Sequence, residues 1–403
     1  MHTAVLDYID SHAERAVHLL QRLVQARSVF GNEERVAAIL LPELERLGFA
    51  VENHPVEPER PNLIATYRGA GGGPRLLCYS HMDTVGPGDL SAWTADPFGG
   101  EVRDGKIWGR GTCDHKGEIA ALLIAWEALR AAGFQPRGDL LYIFDSDEER
   151  GGDKGMKHLV EKNLYQADFG LYACTTQISP ESRPHFGMAG DSNIIGAAMG
   201  AQVFRVTVEG ERTPRENLMY PPGRPTALEC AIPLMNALRD YGQEVSQRVC
   251  PLTGPSRLSL TGLEYEPSPL VGQPDRLHFL VVRRLNLLED LVQERQKIEA
   301  IVSAHSAAVS LVRERPQTRV PEAMPVVAAV RRAAVAVDGI EPRFTGAPAL
   351  TGLGWFVHEK GLPIVMFGYG NLDFHHSHDE HLAIEDLIKS AKVYALAIAD
   401  LIG

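Results

Sequence analysis

Disulfide chemistry, membrane anchoring and nucleic-acid binding each lack the residues they need. The five cysteines, Cys78, Cys113, Cys174, Cys230 and Cys250, are odd in number and widely spaced, with no CxxC pair. Neither a disulfide framework nor a structural zinc finger is expected, and most of the five read as small buried hydrophobes. Cations are outnumbered: 40 Lys and Arg against 52 Asp and Glu leave a net charge of −12. That argues against nucleic acid or an anionic membrane as partner, since both attract clustered Lys and Arg. The N-terminal stretch MHTAVLDYIDSHAERAVHLL carries acids and no long apolar run. It reads as neither a signal peptide nor a membrane span, which makes the cytoplasm the expected compartment. No internal repeat or low-complexity tract is evident.

What is present is a globular composition, with 44% hydrophobic, 23% charged and 7% aromatic residues over 403 positions. That length exceeds what one core usually supports, so two domains are expected. Residues 3–27 and 33–47 carry helical apolar spacing, and 62–67 and 76–79 are strand-length apolar runs. A loop with a short hairpin is expected over 86–111, then a helix over 118–132 closed by Gly133. LLYIF (140–144), 169–174 and IVMF (364–367) read as central strands covered on both faces, and a last helix starts at Ile384. Strands alternating with helices predict an α/β sandwich with a mixed central sheet. The middle section differs: strand patterns at 202–208, 257–263 and 277–282 interleave with helical ones at 227–241 and 287–306, which predicts an inserted α+β lid with its own antiparallel sheet. The expected division is 1–184 and 314–403 for the first domain, with 185–313 for the insertion.

Potential metal ligands follow the predicted strands or open a helix: His81 and Asp83 in SHMDTV, Asp114 in GTCDHKG, Glu148 and Glu149 in DSDEERGG, and the histidines of HHSHDEH. Singly each has a bland reading, as a solvated loop histidine, surface charge or a helix N-cap. Jointly they converge, because the carboxyl ends of strands in an open α/β sheet share one edge. Imidazole and carboxylate suit Zn²⁺, and a carboxylate can bridge two ions about 3.5–4 Å apart, lowering the pKa of a shared water. A free carboxylate must then take the proton, and adjacent glutamates can divide those tasks.

SHMDTV, GRGTCDHKG, SDEERGG and HHSHDEH resemble, in order and spacing, the signature segments of the metallopeptidase family of acetylornithine deacetylase, succinyl-diaminopimelate desuccinylase, aminoacylase and the glutamate-releasing carboxypeptidases. The resemblance covers about residues 76–155 and 361–390. It implies a metal-dependent hydrolase that cleaves the amide bond of an N-acyl amino acid or small peptide bearing a carboxylate. Two Zn²⁺ per chain are expected, with Co²⁺ or Mn²⁺ as substitutes. His81 would bind one ion, oriented by Asp83; Asp114 would bridge both; Glu148 would be general base; Glu149 and His376 would bind the other ion. His375, His378 and His381 are alternatives for that last place. A homodimer formed through the lid is also implied.

The chain departs from the pattern in places. The family sets an Asp or Glu after the strand that here ends YACTTQ, so Cys174 falls at a ligand position; a thiolate is a good zinc ligand, and a cysteine closing a strand is otherwise packing. The lid histidine that ordinarily stabilises the oxyanion is replaced near Pro214, and the lid's Asn-Val-Val-Pro-Asp reads VGQPD, with Val271 in place of Asn. Arg283, Arg215 and Asn217 are candidates for a substrate carboxylate, with Arg224 nearby; solvated surface arginine is the competing reading. Two alternatives stand beside the hydrolase: a non-hydrolytic metal-binding homologue on the same fold, and a pathway enzyme with altered C–N chemistry.

Overall fold

The computed structural model describes residues 1–179, 181, 192–210, 225–266 and 276–403. They form two compact units, one of Met1–Gly196, Val320–Thr345 and Trp355–Gly403, the other of Ala197–Arg319 and Gly346–Gly354. The insertion thus starts and ends later than the sequence division places it. The strand Asn193–Ala198 explains the first shift, because Ile195 pairs with Met366 in the first unit's sheet before the chain leaves it.

In the first unit a mixed sheet runs in the order Ala50–Asn53, Leu63–Tyr67, Asp139–Asp145, Arg75–His81, Phe169–Ala173, Ile364–Phe367 and Asn193–Ala198. The four strands from Asp139–Asp145 to Ile364–Phe367 are parallel, and those that flank them are antiparallel. Parallel strands are covered on both faces, which is why LLYIF and IVMF are continuous apolar runs. Helices Gly117–Ala131 and Ile384–Ile402 pack on strand Arg75–His81 and on each other. The single helix expected over 3–27 is two, His2–Ser11 and Ala13–Gln25. Ser11 Oγ donates to the Tyr8 carbonyl and the His12 ring bonds to it at 2.8 Å, a local bond that competes with the helical ladder. No helix among the described residues is long and apolar enough to cross a membrane.

A small sheet carries the chain's distant ends to one place. The hairpin strand Lys106–Trp108 pairs with His381–Ala383, and the N–H of Gly109 donates to the Glu380 carbonyl at 2.8 Å. The C-terminal histidine cluster is thereby fixed beside the turn that precedes Asp114.

Glu118, in the first turn of Gly117–Ala131, is fully buried and accepts hydrogen bonds from Ser390 and Tyr394. Burial pushes its pKa up to about 8. A carboxyl whose folded pKa exceeds its unfolded value stabilises fully below the unfolded value, and that contribution is lost as pH rises through the folded one. Glu118→Gln is therefore expected to gain on wild type by a few kcal/mol between about pH 5 and 8. Thermal unfolding of the metal-free chain at several pH values measures this, and a difference that does not change with pH would contradict it.

The second unit holds an antiparallel sheet in the order Arg257–Glu266, Arg276–Leu285, Gly200–Glu209, Ala308–Arg315, with helices Ala227–Ser246 and Leu291–Ser303. Alternate residues of Arg276–Leu285 are buried, the period of a sheet covered on one face. The first helix opens with a capping box in which Thr226 and Glu229 satisfy each other's backbone N–H. Strand Arg257–Glu266 has one edge without a partner strand among the described residues, and exposes Leu263.

Candidate metal centre

Each donor arrives on a different element. His81 closes strand Arg75–His81, Asp114 lies in the turn entering helix Gly117–Ala131, Glu148 and Glu149 follow strand Asp139–Asp145, and His376 sits in the loop after Ile364–Phe367. Gly111 opens the second of these turns at φ +88°, with space for no Cβ, since one would stand 2.9 Å from the Thr84 methyl.

Two groups of donor atoms converge, His81, Asp114 and His115 in one, Asp114, Glu149 and His376 in the other. Asp114 is common to both: its Oδ1 lies 3.5 Å from His81 Nε2 and 3.2 Å from His115 Nδ1, and its Oδ2 lies 3.1 Å from His376 Nε2. His376 Nε2 is also 3.0 Å from Glu149 Oε2. His375 reaches the cluster's edge, 3.4 Å from Asp114 and bonded to Thr175 Oγ1. His378 and His381 are elsewhere: His378 lies beside Trp93 and Gly88, and His381 packs on Trp108 and Phe374.

The supports are as specific as the donors. His81 Nδ1 is 3.0 Å from the Asp83 carbonyl, which directs Nε2 into the cluster. The Asp83 carboxylate accepts from the N–H of Glu148 at 3.2 Å and of Glu149 at 3.1 Å, so one residue orients a donor and pins the opposing loop. Asp147 fixes that loop from behind through Arg60, at 2.9 Å, which also pairs with buried Glu33. Glu380, paired with Arg110 at 2.6 Å, accepts from the N–H of Cys113 and Asp114. His376 is held at φ +57°, a left-handed conformation that costs a non-glycine residue about 1–3 kcal/mol and persists where its surroundings demand it. Arg110 supplies part of that demand by donating to the Ser377 carbonyl at 2.9 Å.

Burial pushes Glu149 up to about 8, with Asp114 adding to the effect. Glu148 is also raised, by burial first. Burial acts the same way on Asp114, but the surrounding histidines outweigh it and hold that carboxyl well below its usual range. His376 is raised to about 10 by its hydrogen bonds to Asp114 and Glu149. Buried acids crowded among imidazoles are the donor chemistry of a divalent cation, whose charge would relieve the acids' repulsion. Glu149 Oε1 is buried without a hydrogen-bond partner, as expected of a set completed by an ion. The residues present therefore fit a metal pair.

Two expectations from the sequence are corrected. Cys174 belongs to neither donor group; its buried thiol turns to the Thr175 carbonyl at 3.3 Å. Arg283 is fully buried in the second unit, where its guanidinium pairs with Glu289 and Glu294, so it is not poised for a substrate carboxylate. Arg215, Asn217, Arg224, Pro214 and Val271 lie outside the described residues. Sequence reasoning missed His115, although it directly follows Asp114, and missed Glu380 as the anchor of the Asp114 turn.

A mixed sheet that brings two donor groups sharing one carboxylate to a single edge, in a chain with a separate α+β unit inserted, defines a metal-dependent hydrolase. The chain belongs to peptidase family M20/M25/M40, which matches residues 77–400. It is 28% identical to a succinyl-diaminopimelate desuccinylase of Xylella fastidiosa (strain 9a5c), over 94% of this chain and 97% of that one. Solved structures share the fold. The di-peptidase Dug1p of Saccharomyces cerevisiae superposes with a TM-score of 0.77 at 16% identity, covering 100% of this chain and 98% of that one. An M20 family metallo-carboxypeptidase, Sso-CP2 from Sulfolobus solfataricus, gives 0.72 at 18% identity, covering 96% and 98%.

Proposed function

We propose that this enzyme hydrolyses the amide bond of an N-acyl amino acid or small peptide, with Glu148 as general base and two zinc ions as cofactors. The observation that carries the reading is the shared Asp114 carboxylate between two donor groups, with the half-buried Glu148 on the same loop as the donor Glu149. His81, Asp114, Glu149 and His376 would hold a pair of divalent cations, which would supply Lewis acidity and a lowered water pKa there. Asp83 fixes the N–H groups of Glu148 and Glu149, so the base and the donor keep their relative positions. A carboxylate in that place takes a proton from water and returns it to the departing amine. Tyr172, whose O–H lies 3.4 Å from Glu148 Oε1, orients that carboxylate.

The desuccinylase relative, alike over nearly its whole length, favours an N-acyl diacid or amino-acid substrate. Five unpaired cysteines fit the reducing cytoplasm as the place of action. The test is a screen of N-succinyl and N-acetyl amino acids and dipeptides with the zinc-loaded chain. Turnover of one class, lost with a chelator and restored by zinc, supports the reading; no hydrolysis across all classes by chain of verified metal content contradicts it.

A further inference from the structure

Strand Phe169–Ala173 runs into Cys174 with no carboxylate at its end, and Cys174 belongs to neither donor group. We propose that His115 is the donor that closes the first cation position, so that this position is built from two histidines and the shared Asp114. The inference rests on the metal-dependent reading above and specifies how this chain realises it.

Geometry supports it from several sides. His115 is only 4% exposed, and its Nδ1 lies 2.7 Å from His81 Nε2 and 3.2 Å from Asp114 Oδ1. Donors at about 2.0–2.1 Å from a tetrahedral ion stand roughly 3.3 Å apart, so a small opening of the two rings admits the cation. The Cys174 thiol, by contrast, already points at the Thr175 carbonyl.

Exchanging a carboxylate for a neutral imidazole removes one negative charge and one oxygen donor from the first position. The two positions become unlike, one nitrogen-rich through His81 and His115, the other mixed through Glu149 and His376. Imidazole favours Zn²⁺, Co²⁺ and Ni²⁺ over Mn²⁺ and Mg²⁺, so the first position discriminates more strongly among ions than the second.

The full-length chain, stripped with chelator and titrated with Zn²⁺ and with Co²⁺ against a chromophoric competitor, tests this. Wild type and Cys174→Ser should each take two tight equivalents. His115→Ala should keep one and bind the other about 100-fold more weakly, with loss of part of the Co²⁺ visible spectrum. His115→Asp should restore the second equivalent with a shift in preference toward Mn²⁺. Circular dichroism and melting of the metal-free variants show that each is folded. An H115A chain that titrates like wild type, a C174S chain that loses an equivalent, or a wild type that saturates with one ion overturns the proposal. If it fails in one of these ways while chelator still abolishes wild-type turnover, the hydrolase reading stands. A wild type that binds no metal sinks both.

Discussion

Glu148→Gln is expected to lower kcat by about 10²–10⁴-fold on any amide substrate the enzyme accepts, the range a positioned general base contributes. Gln keeps the shape of the side chain and its contact with Tyr172, but cannot take the proton. Metal content and KM should change little, because Glu148 belongs to neither donor group. Steady-state kinetics alongside elemental analysis separate the two effects. Unchanged turnover would remove Glu148 from the mechanism, whereas loss of metal would recast it as a ligand. The outcome also separates the hydrolase from a non-hydrolytic homologue, since only a working base loses function on this change.

Asp114→Ala should have the larger effect on metal. Every other donor faces one group, and Asp114 alone faces both. Its removal takes a negative charge from each position and leaves His81, His115, His375 and His376 around a neutral gap. Affinity should fall at both positions by well more than the roughly 10–100-fold that loss of an outer supporting group costs. Purified D114A protein is expected to carry almost no zinc and to show no turnover at zinc concentrations that saturate wild type. Retention of one full equivalent would mean that the carboxylate serves a single position and that the paired arrangement is wrong.

The parts of this protein that could be read from its sequence are those where one local pattern has one structural outcome. LLYIF and IVMF are too apolar for any place but a covered parallel strand, and the structure puts them there. The convergence of His81, Asp114, Glu149 and His376 followed from strand ends sharing an edge, a rule of topology rather than of residue type. What could not be read depends on side-chain direction. His115 sits in the same tetrapeptide as Asp114, but whether its ring turns toward His81 is set by the turn at Gly111 and by the packing of Tyr172 and His375. Glu380 is one of two acids in HHSHDEH; only the pairing of His381–Ala383 with the hairpin strand brings it under the backbone of Asp114. Arg283 matched a position in the family's lid, yet its outcome was decided by Glu289 and Glu294, whose approach depends on the following helix. Short strands and domain edges were also lost: Asn193–Ala198 carries two alanines and a glycine and has no strong strand signal of its own, and it is defined by its neighbours.

The donors and the base come from four separate stretches of the chain, and their joint purpose is the pair of cations. Anomalous diffraction at the zinc edge, from crystals grown with zinc, examines that directly. The arrangement requires two peaks, one on each side of the Asp114 carboxylate and about 3.5–4 Å apart. Density for no ion there, or for one ion bound away from Asp114, would contradict it.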